Sequence, residues 1–447
     1  MSLPSTFQAP TQALRGLLEP SASASLRNRF VQGAFWSLTG AGVSQGLGLV
    51  AAVVCARYLG RQGFGELGMI QSTVGMFGVF AGLGLGMTAT KYVAEYRECD
   101  PEKAGRIIGL SSVAAAIVSA LVAVLMFILA PQLADGRLAA PHLCPALRIA
   151  CLLLFLNAVT GAQTGVLAGL EAFRGIANVN FLRGVFSIPA MWCGVALWGL
   201  RGAIVSLVAA GALGYILARR EIFRSCAAGG IRVSRHGSWR ERNVLWRFSV
   251  PAFLGSALVG PVTWMANTIL VNGPDGYAEM GLFNAASQWR NAISFVPGVL
   301  GQITLPILSN LKGGGETRAF ARVLRWNLVI VGLSASAAAL PVGLLPKWIM
   351  HFYGSGFELG WTVLVLSAAA SIPVCLNNVV GSAIASTGAM WWGFLFNGLW
   401  AIAFLGGAVQ LIPRLNANGL ALAVLISYVA HSVWQGLFLY RVLGKNR

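Results

Sequence analysis

RYLGRQGFGELGMIQ (57–71) decides how the chain is read. It is a polar break between two long apolar runs, and a second copy, LVNGPDGYAEMGLFN, returns at 270–284. Both copies follow G-x-x-G-aromatic-small-Glu-apolar-Gly. Gly60, Gly63, Phe64, Gly65, Glu66, Leu67 and Gly68 stand in the first. Gly273, Gly276, Tyr277, Ala278, Glu279, Met280 and Gly281 stand in the second, 213 residues on throughout. Self-similarity at a fixed offset marks a repeated structural unit. Two further pairs sit near an offset of 217: GVLAGLEAFRG (165–175) with GSAIASTGAM (381–390), and RGAIVSLV (201–208) with NGLALAVL (418–425). The chain is two similar halves, matched from end to end.

Of the 447 residues, 56% are hydrophobic and only 10% are charged, where a soluble domain carries about 25% charged residues. Apolar runs of about 20 residues, enough to cross a bilayer as helix, recur along nearly the whole length. The short alternating segments of a membrane barrel are absent. The expected fold is an all-α polytopic membrane protein of twelve transmembrane helices, arranged as two pseudo-twofold-related six-helix lobes. Its divisions are a loose tail at 1–30, an N-lobe at 31–218 (spans 1–6), a basic linker at 219–247, a C-lobe at 248–441 (spans 7–12) and a short tail at 442–447.

A net charge of +18 would point to nucleic acid in a soluble protein, but its distribution here excludes that partner. With the N-terminus inside, the inner segments hold 24 Lys and Arg and the outer loops 7, with Arg290 alone inside a span. That bias places both termini in the cytoplasm, and the basic inner face attracts anionic phospholipids. The seven cysteines show no CxxC or metal-ligand spacing, so neither a disulfide framework nor a metal is expected. The second half carries more proline within its spans, and Pro261 and Pro297 predict bends in spans 7 and 8.

None of the fourteen acidic residues lies deep in a span. A cation pump or proton relay would place a carboxylate there, and a glycosyltransferase or protease would need a carboxylate pair or a nucleophile–base set. Asp135 and Asp275 are isolated. No P-loop pattern appears either. The chain therefore reads as a non-enzyme without a cofactor. Glu66 and Glu279 open spans 2 and 8, where the helix dipole favours a carboxylate; pairing with Arg57 or Arg61 would make them an outer-mouth gate. Arg290 lies 11 residues past Glu279, about 16 Å down the helix and near the middle of a ~30 Å core. It reads either as an arginine capped by carbonyls at the lobe interface or as a cationic contact for an anionic substrate. Its fork suits phosphate. Gln288, Trp289 and Asn284 flank it, Gln71 is the N-lobe equivalent of Asn284, and Gln45, Asn267 and Trp264 are further polar or aromatic candidates inside spans. Each of these also has a plain packing role open to it.

The run ARYLGRQGFGELGMIQSTVGMFGVFAGLGLGMTATKYVAEYRECDPEKAGRIIG (56–109) resembles the N-terminal signature of the polysaccharide-biosynthesis flippases, the O-antigen and exopolysaccharide repeat-unit translocases of the multidrug/oligosaccharidyl-lipid/polysaccharide superfamily. GVLAGLEAFR (165–174) and the MATE-like two-lobe layout agree, and the likeness covers roughly residues 25–440. The resemblance implies a bacterial inner-membrane flippase for a lipid-linked oligosaccharide. The substrate would be a repeat unit on undecaprenyl pyrophosphate, with polysaccharide polymerase and glycosyltransferases as partners. It implies a cavity lined by spans 1, 2, 7 and 8, holding Gln45, Gln71, Asn267 and Arg290. A multidrug or cation antiporter on the same fold is the alternative.

Overall fold

A computed structural model describes residues 20–234, 238–241, 249, 253, 257–302, 308, 317–387 and 389–444. The described residues are helical with short connections, and no strand occurs among them. Helix α1 runs Pro20–Gly82, α2 Leu85–Tyr96, α3 Pro101–Gln132, α4 Cys144–Gly169 and α5 Phe173–Ala228. After the linker come α6 (Val259–Val271), α7 (Gly276–Gln302), α8 (Thr317–Leu344), the short α9 (Pro346–His351), α10 (Trp361–Ser386) and α11 (Met390–Gly444).

Three of these are too long for one crossing. Helix α1 has 63 residues, α5 has 56 and α11 has 55. At ~1.5 Å per residue each is more than twice a ~30 Å bilayer core. Each turns at one residue of positive φ: Gly60 (φ 67°), Gly199 (φ 55°) and Asn416 (φ 49°). Glycine and asparagine are the residues that take such a conformation readily. Contacts across the turns at Gly199 and Asn416 show that the halves there fold back. Ser206 Oγ donates to the Ala190 carbonyl 16 residues away at 2.6 Å, and Gly419 abuts the Leu411 backbone. With these reversals, α1 supplies spans 1 and 2, α5 spans 5 and 6, and α11 spans 11 and 12. Helices α3, α4, α7, α8 and α10 supply spans 3, 4, 8, 9 and 10, and α6 belongs to span 7.

Several boundaries differ from the sequence expectation. Residues 20–30, expected as loose tail, already belong to α1, and span 6 continues to Ala228, ten residues into the expected linker. The tail at 1–19 and linker residues 235–237 and 242–247 lie outside the described residues, as do 445–447. A turn at 257–258 precedes α6, so Pro261 falls in the first turn of that helix, where its missing N–H costs nothing. Span 8, by contrast, stays helical through Pro297. Span 2 breaks at Leu83 (φ 40°) and Gly84 (φ 65°) before resuming as α2.

Large apolar side chains such as Leu121, Ile128, Leu197 and Ile402 remain exposed on the outside of the bundle, as a lipid-facing wall requires. One hydrophobic core runs through both halves. The principal contacts between the halves join spans 1 and 2 to spans 7 and 8.

Small residues set how closely the rods approach. A Cβ added at Gly202 would lie 1.8 Å from the Gly194 carbonyl oxygen. Gly202→Val is expected to wedge the span 5–6 hairpin apart at a cost of about 1–3 kcal/mol. The measurement is a lower thermal midpoint of the detergent-purified protein; an unchanged midpoint would deny this contact a structural role.

Candidate functional site: a cavity behind a sealed mouth

The two copies of the quoted motif meet. At one end of the bundle, here called the motif end, a Cβ on Gly65 would lie 1.8 Å from the Tyr277 carbonyl oxygen, and one on Gly281 would lie 2.1 Å from the Arg61 carbonyl oxygen. Gly68, the repeat equivalent of Gly281, is packed against the Asn284 amide, whose Nδ2 donates to the Phe64 carbonyl at 3.2 Å. Only glycine allows backbones this close.

Each copy also grips the other lobe's long connection. Arg57 Nε donates to the Phe352 carbonyl at 2.7 Å, and the Phe64 ring stands 6.1 Å from Tyr353 and 6.0 Å from Phe357. These belong to the span 9–10 connection. In the reverse direction, Tyr277 Oη donates to the Leu138 carbonyl at 2.8 Å, and Asn272 Nδ2 donates to the Arg137 carbonyl at 2.8 Å. These belong to the span 3–4 connection. The seal obeys the same twofold as the repeat.

The arginine–carboxylate gate expected from sequence is not formed; no ion pair joins Arg57 or Arg61 to Glu66 or Glu279 among the described residues. Each carboxylate braces its own lobe. Glu66 accepts from His142 at 3.1 Å and from Gln62 at 3.4 Å. Glu279 accepts from the Ala417 amide at 3.0 Å, just past the positive-φ turn at Asn416. Arg61 lies beside Gly356 instead.

Behind the seal lies a cavity of about 240 Å³. Its polar lining comes from Ser44 on span 1, Gln71 on span 2, Asn180, Arg183 and Ser187 on span 5, and Gln288 on span 8. The lining was expected from spans 1, 2, 7 and 8; this cavity is lined by described residues of spans 1, 2, 5, 6 and 8. The cavity is cut mainly into the N-lobe, with Gln288 reaching in from the C-lobe.

Of the candidate residues, the structure brings only Gln71 and Gln288 together here. Asn284 belongs to the seal. Trp264 is buried and donates from Nε1 to Thr73 Oγ1 at 3.0 Å, and Asn267 donates to Ser72 Oγ at 2.9 Å. Both therefore stitch span 7 to span 2. Gln45 is absent from the lining, which takes its neighbour Ser44. Trp289 packs against the main core. Arg290 is two residues past Gln288, about 200° round the helix at 3.6 residues per turn. It turns into the C-lobe, 5.8 Å from the Phe283 ring centre and in electrostatic reach of Tyr428 on span 12.

Sequence reading missed Arg183. It was assigned to an inner loop, but it lies ten residues into α5 from Phe173, about 15 Å along the helix. Its aliphatic stem rests on Gly214 of span 6, where an added Cβ would meet Arg183 Cδ at 3.2 Å. On its far side a smaller void of about 50 Å³ is lined by Thr160, Thr164 and Asn180. No carboxylate pairs with Arg183 or Arg290 among the described residues. The available signal was distance from the nearest helix end, the measure that exposed Arg290.

With the geometry in hand, comparison places the chain among known proteins. The model of the family described as polysaccharide biosynthesis protein matches residues 30–312. The EPS I polysaccharide export inner membrane protein EpsE of Ralstonia nicotianae is 25% identical over 425 residues, covering 93% of this chain and 94% of that protein. The lipid III flippase of Escherichia coli K12 is 24% identical over 421 residues, covering 90% and 97%. In fold, an inward-facing multidrug resistance MATE family transporter superposes with a TM-score of 0.71 at 13% identity, covering 92% of this chain and 99% of that one.

The seal makes a prediction. Cys55 is buried in the cavity wall behind it. Gly65→Val is expected to loosen the seal and raise the alkylation rate of Cys55 by a membrane-impermeant maleimide about tenfold or more, since about 1.4 kcal/mol of lost contact suffices. Peptide mass spectrometry reads that position alone; an unchanged rate would deny the glycine contact a sealing role.

The twofold seal, the helical trace and the family match over residues 30–312 agree, and the chain belongs to the polysaccharide biosynthesis protein family of multi-pass membrane proteins.

Proposed function

We propose that this protein is a flippase for a lipid-linked oligosaccharide, carrying a repeat unit on undecaprenyl pyrophosphate from the inner to the outer leaflet by alternating access. It is a transporter rather than an enzyme. The observation that carries this reading is Arg183, a deep guanidinium in a cavity whose polar wall spans both lobes through Gln71 and Gln288.

A sugar–pyrophosphate head group crossing unaided would take charge and many hydroxyls through hydrocarbon, where an ion at the midplane costs several kcal/mol at least. The cavity replaces that water. Arg183 can donate two parallel N–H bonds to phosphate oxygens. Gln71, Gln288, Asn180 and Ser44 supply neutral donors and acceptors for sugar hydroxyls. Arg290 adds a second cation on span 8, on the face turned from this cavity while the motif end is closed. Rotation of one lobe against the other would change which of the two arginines meets the head group, and the lipid tail stays in the bilayer throughout.

The basic linker end faces the cytoplasm in this reading, with both termini inside, so the sealed motif end faces outward and the substrate enters from within. Opening then requires the seal to part while the lobes close elsewhere, which is two states of one protein biased by ligand. The relatives named above, a polysaccharide export protein and a lipid III flippase, support the substrate class. Polymerase and glycosyltransferases would be the neighbours in the same synthesis. The antiporter reading sits poorly with a guanidinium in the cavity, which repels cationic cargo.

Removing one charge-assisted contact worth about 1.5–3 kcal/mol lowers transport about tenfold or more. Arg183→Gln is therefore expected to cut polysaccharide export by that factor at normal protein level, with lipid-linked oligosaccharide accumulating inside. Arg183→Lys should retain part of the activity, and Arg290→Ala should abolish export. Full export in Arg183→Gln would remove this residue from the mechanism, and cation-driven dye efflux by the wild type would favour the antiporter.

A further inference from the structure

A second and larger chamber lies apart from the cavity just described. It has a volume of about 720 Å³ and shares no lining residue with the Arg183 cavity. Spans 3, 4 and 6 form it, with Ile108, Ile117, Phe155, Ile222 and Phe223 among its walls. Its base is the start of the linker between the lobes, Val233 and Ser234. That base is fixed. The Ser234 amide donates to the Gly105 carbonyl at 3.3 Å, Arg106 Nε meets Glu241 at 3.3 Å, and an added Cβ at Gly105 would lie 2.1 Å from the Arg232 carbonyl oxygen.

Ser112, Gln163, Tyr215, Arg219 and Ser234 break the apolar lining, and two of them point to a ligand. Gln163 is only 7% exposed, and its Oε1 has no hydrogen-bond partner among the described residues. A buried amide left unpaired costs about 1–3 kcal/mol, so the position calls for a partner. Arg219 stands at the rim with Nη1 on the Tyr215 hydroxyl at 3.2 Å and its guanidinium 5.6 Å from the Phe223 ring centre. That guanidinium is exposed and has no carboxylate partner among the described residues.

We infer that this chamber holds one anionic glycerophospholipid of the inner leaflet, its phosphate on Arg219 and an acyl chain against the apolar wall. Depth fits a single leaflet. From Ile108 to Ile117 is nine residues along span 3, about 14 Å, close to half of a ~30 Å hydrocarbon core. Charge fits an anion, because Arg219 and Arg220 adjoin at this end of span 6, while the next two charges, Glu221 and Arg224, meet each other at 3.8 Å. The Gln163 amide can bond the ester carbonyls or a head-group hydroxyl. The tail of a lipid-linked oligosaccharide is much longer than the chamber is deep, and its head-group cavity opens elsewhere. A lipid here would touch the linker directly, so its presence would bear on how the lobes are tethered. The inference stands whether or not the Arg183 reading holds.

The test is native mass spectrometry of the full-length protein exchanged into equal mole fractions of phosphatidylglycerol, phosphatidylethanolamine and phosphatidylcholine. One phosphatidylglycerol is expected to be retained about fivefold over phosphatidylcholine, the preference one basic residue gives at an anionic surface. Arg219→Gln should abolish the preference, and Ala116→Trp, which fills the chamber, should abolish the retained lipid in a protein that still elutes as a single peak. Equal retention of the three lipids by the wild type would overturn the inference. So would retention unchanged in both variants, or displacement of phosphatidylglycerol by equimolar undecaprenyl phosphate, which would assign the chamber to the substrate's tail.

Discussion

The approach of the lobes at the motif end depends on four backbone surfaces touching without side chains between them. Gly65 lies on Tyr277, and Gly281 lies on Arg61. Each contact brings one lobe's turn against the opposite lobe, and each is possible only because the Cβ is missing. Van der Waals contact of this kind falls away within an ångström or so of separation. Four hydrogen bonds between the lobes, from Arg57, Asn272, Tyr277 and Asn284 to backbone carbonyls, add to it, and no ion pair does among the described residues. The Glu66 and Glu279 carboxylates, which would have made a charged latch with Arg57 and Arg61, hold turns within their own lobes instead.

The repeat makes the seal symmetric, but the interior is not. Gln71 and Asn284 occupy equivalent positions, yet one lines the cavity and the other donates to the Phe64 carbonyl within the seal. Likewise the N-lobe opens its arginine to a void, whereas Arg290 rests against Phe283. A duplicated frame thus carries two different interiors: the N-lobe offers cation, space and most of the polar wall, and the C-lobe adds Gln288. That division is what a carrier of a bulky, charged head group needs, because charge must be met while the sugar still has room.

The sequence made much of this legible. Apolar runs of bilayer length, the 213-residue repeat and the clustered basic segments led to a two-lobed helical membrane protein. Gln71 and Gln288 were also readable, since amides deep in apolar spans are conspicuous. Arg183 was not, because its nearness to a short polar connection put it with the inner segments. Its depth depends on where α5 begins, and helix ends are weakly encoded when Arg174 and Asn180 blur the boundary.

What the sequence by itself determined is everything that follows from periodicity and solvent: helices, because a bilayer leaves no other way to satisfy backbone groups; and two halves, because the motif recurs. What only the tertiary structure decided is which way each helix faces. A rotation of about 100° per residue separates Gln288 in the cavity from Arg290 in the C-lobe and Gln45 from Ser44. No local signal fixes that rotation, because the choice is made by which helix packs alongside.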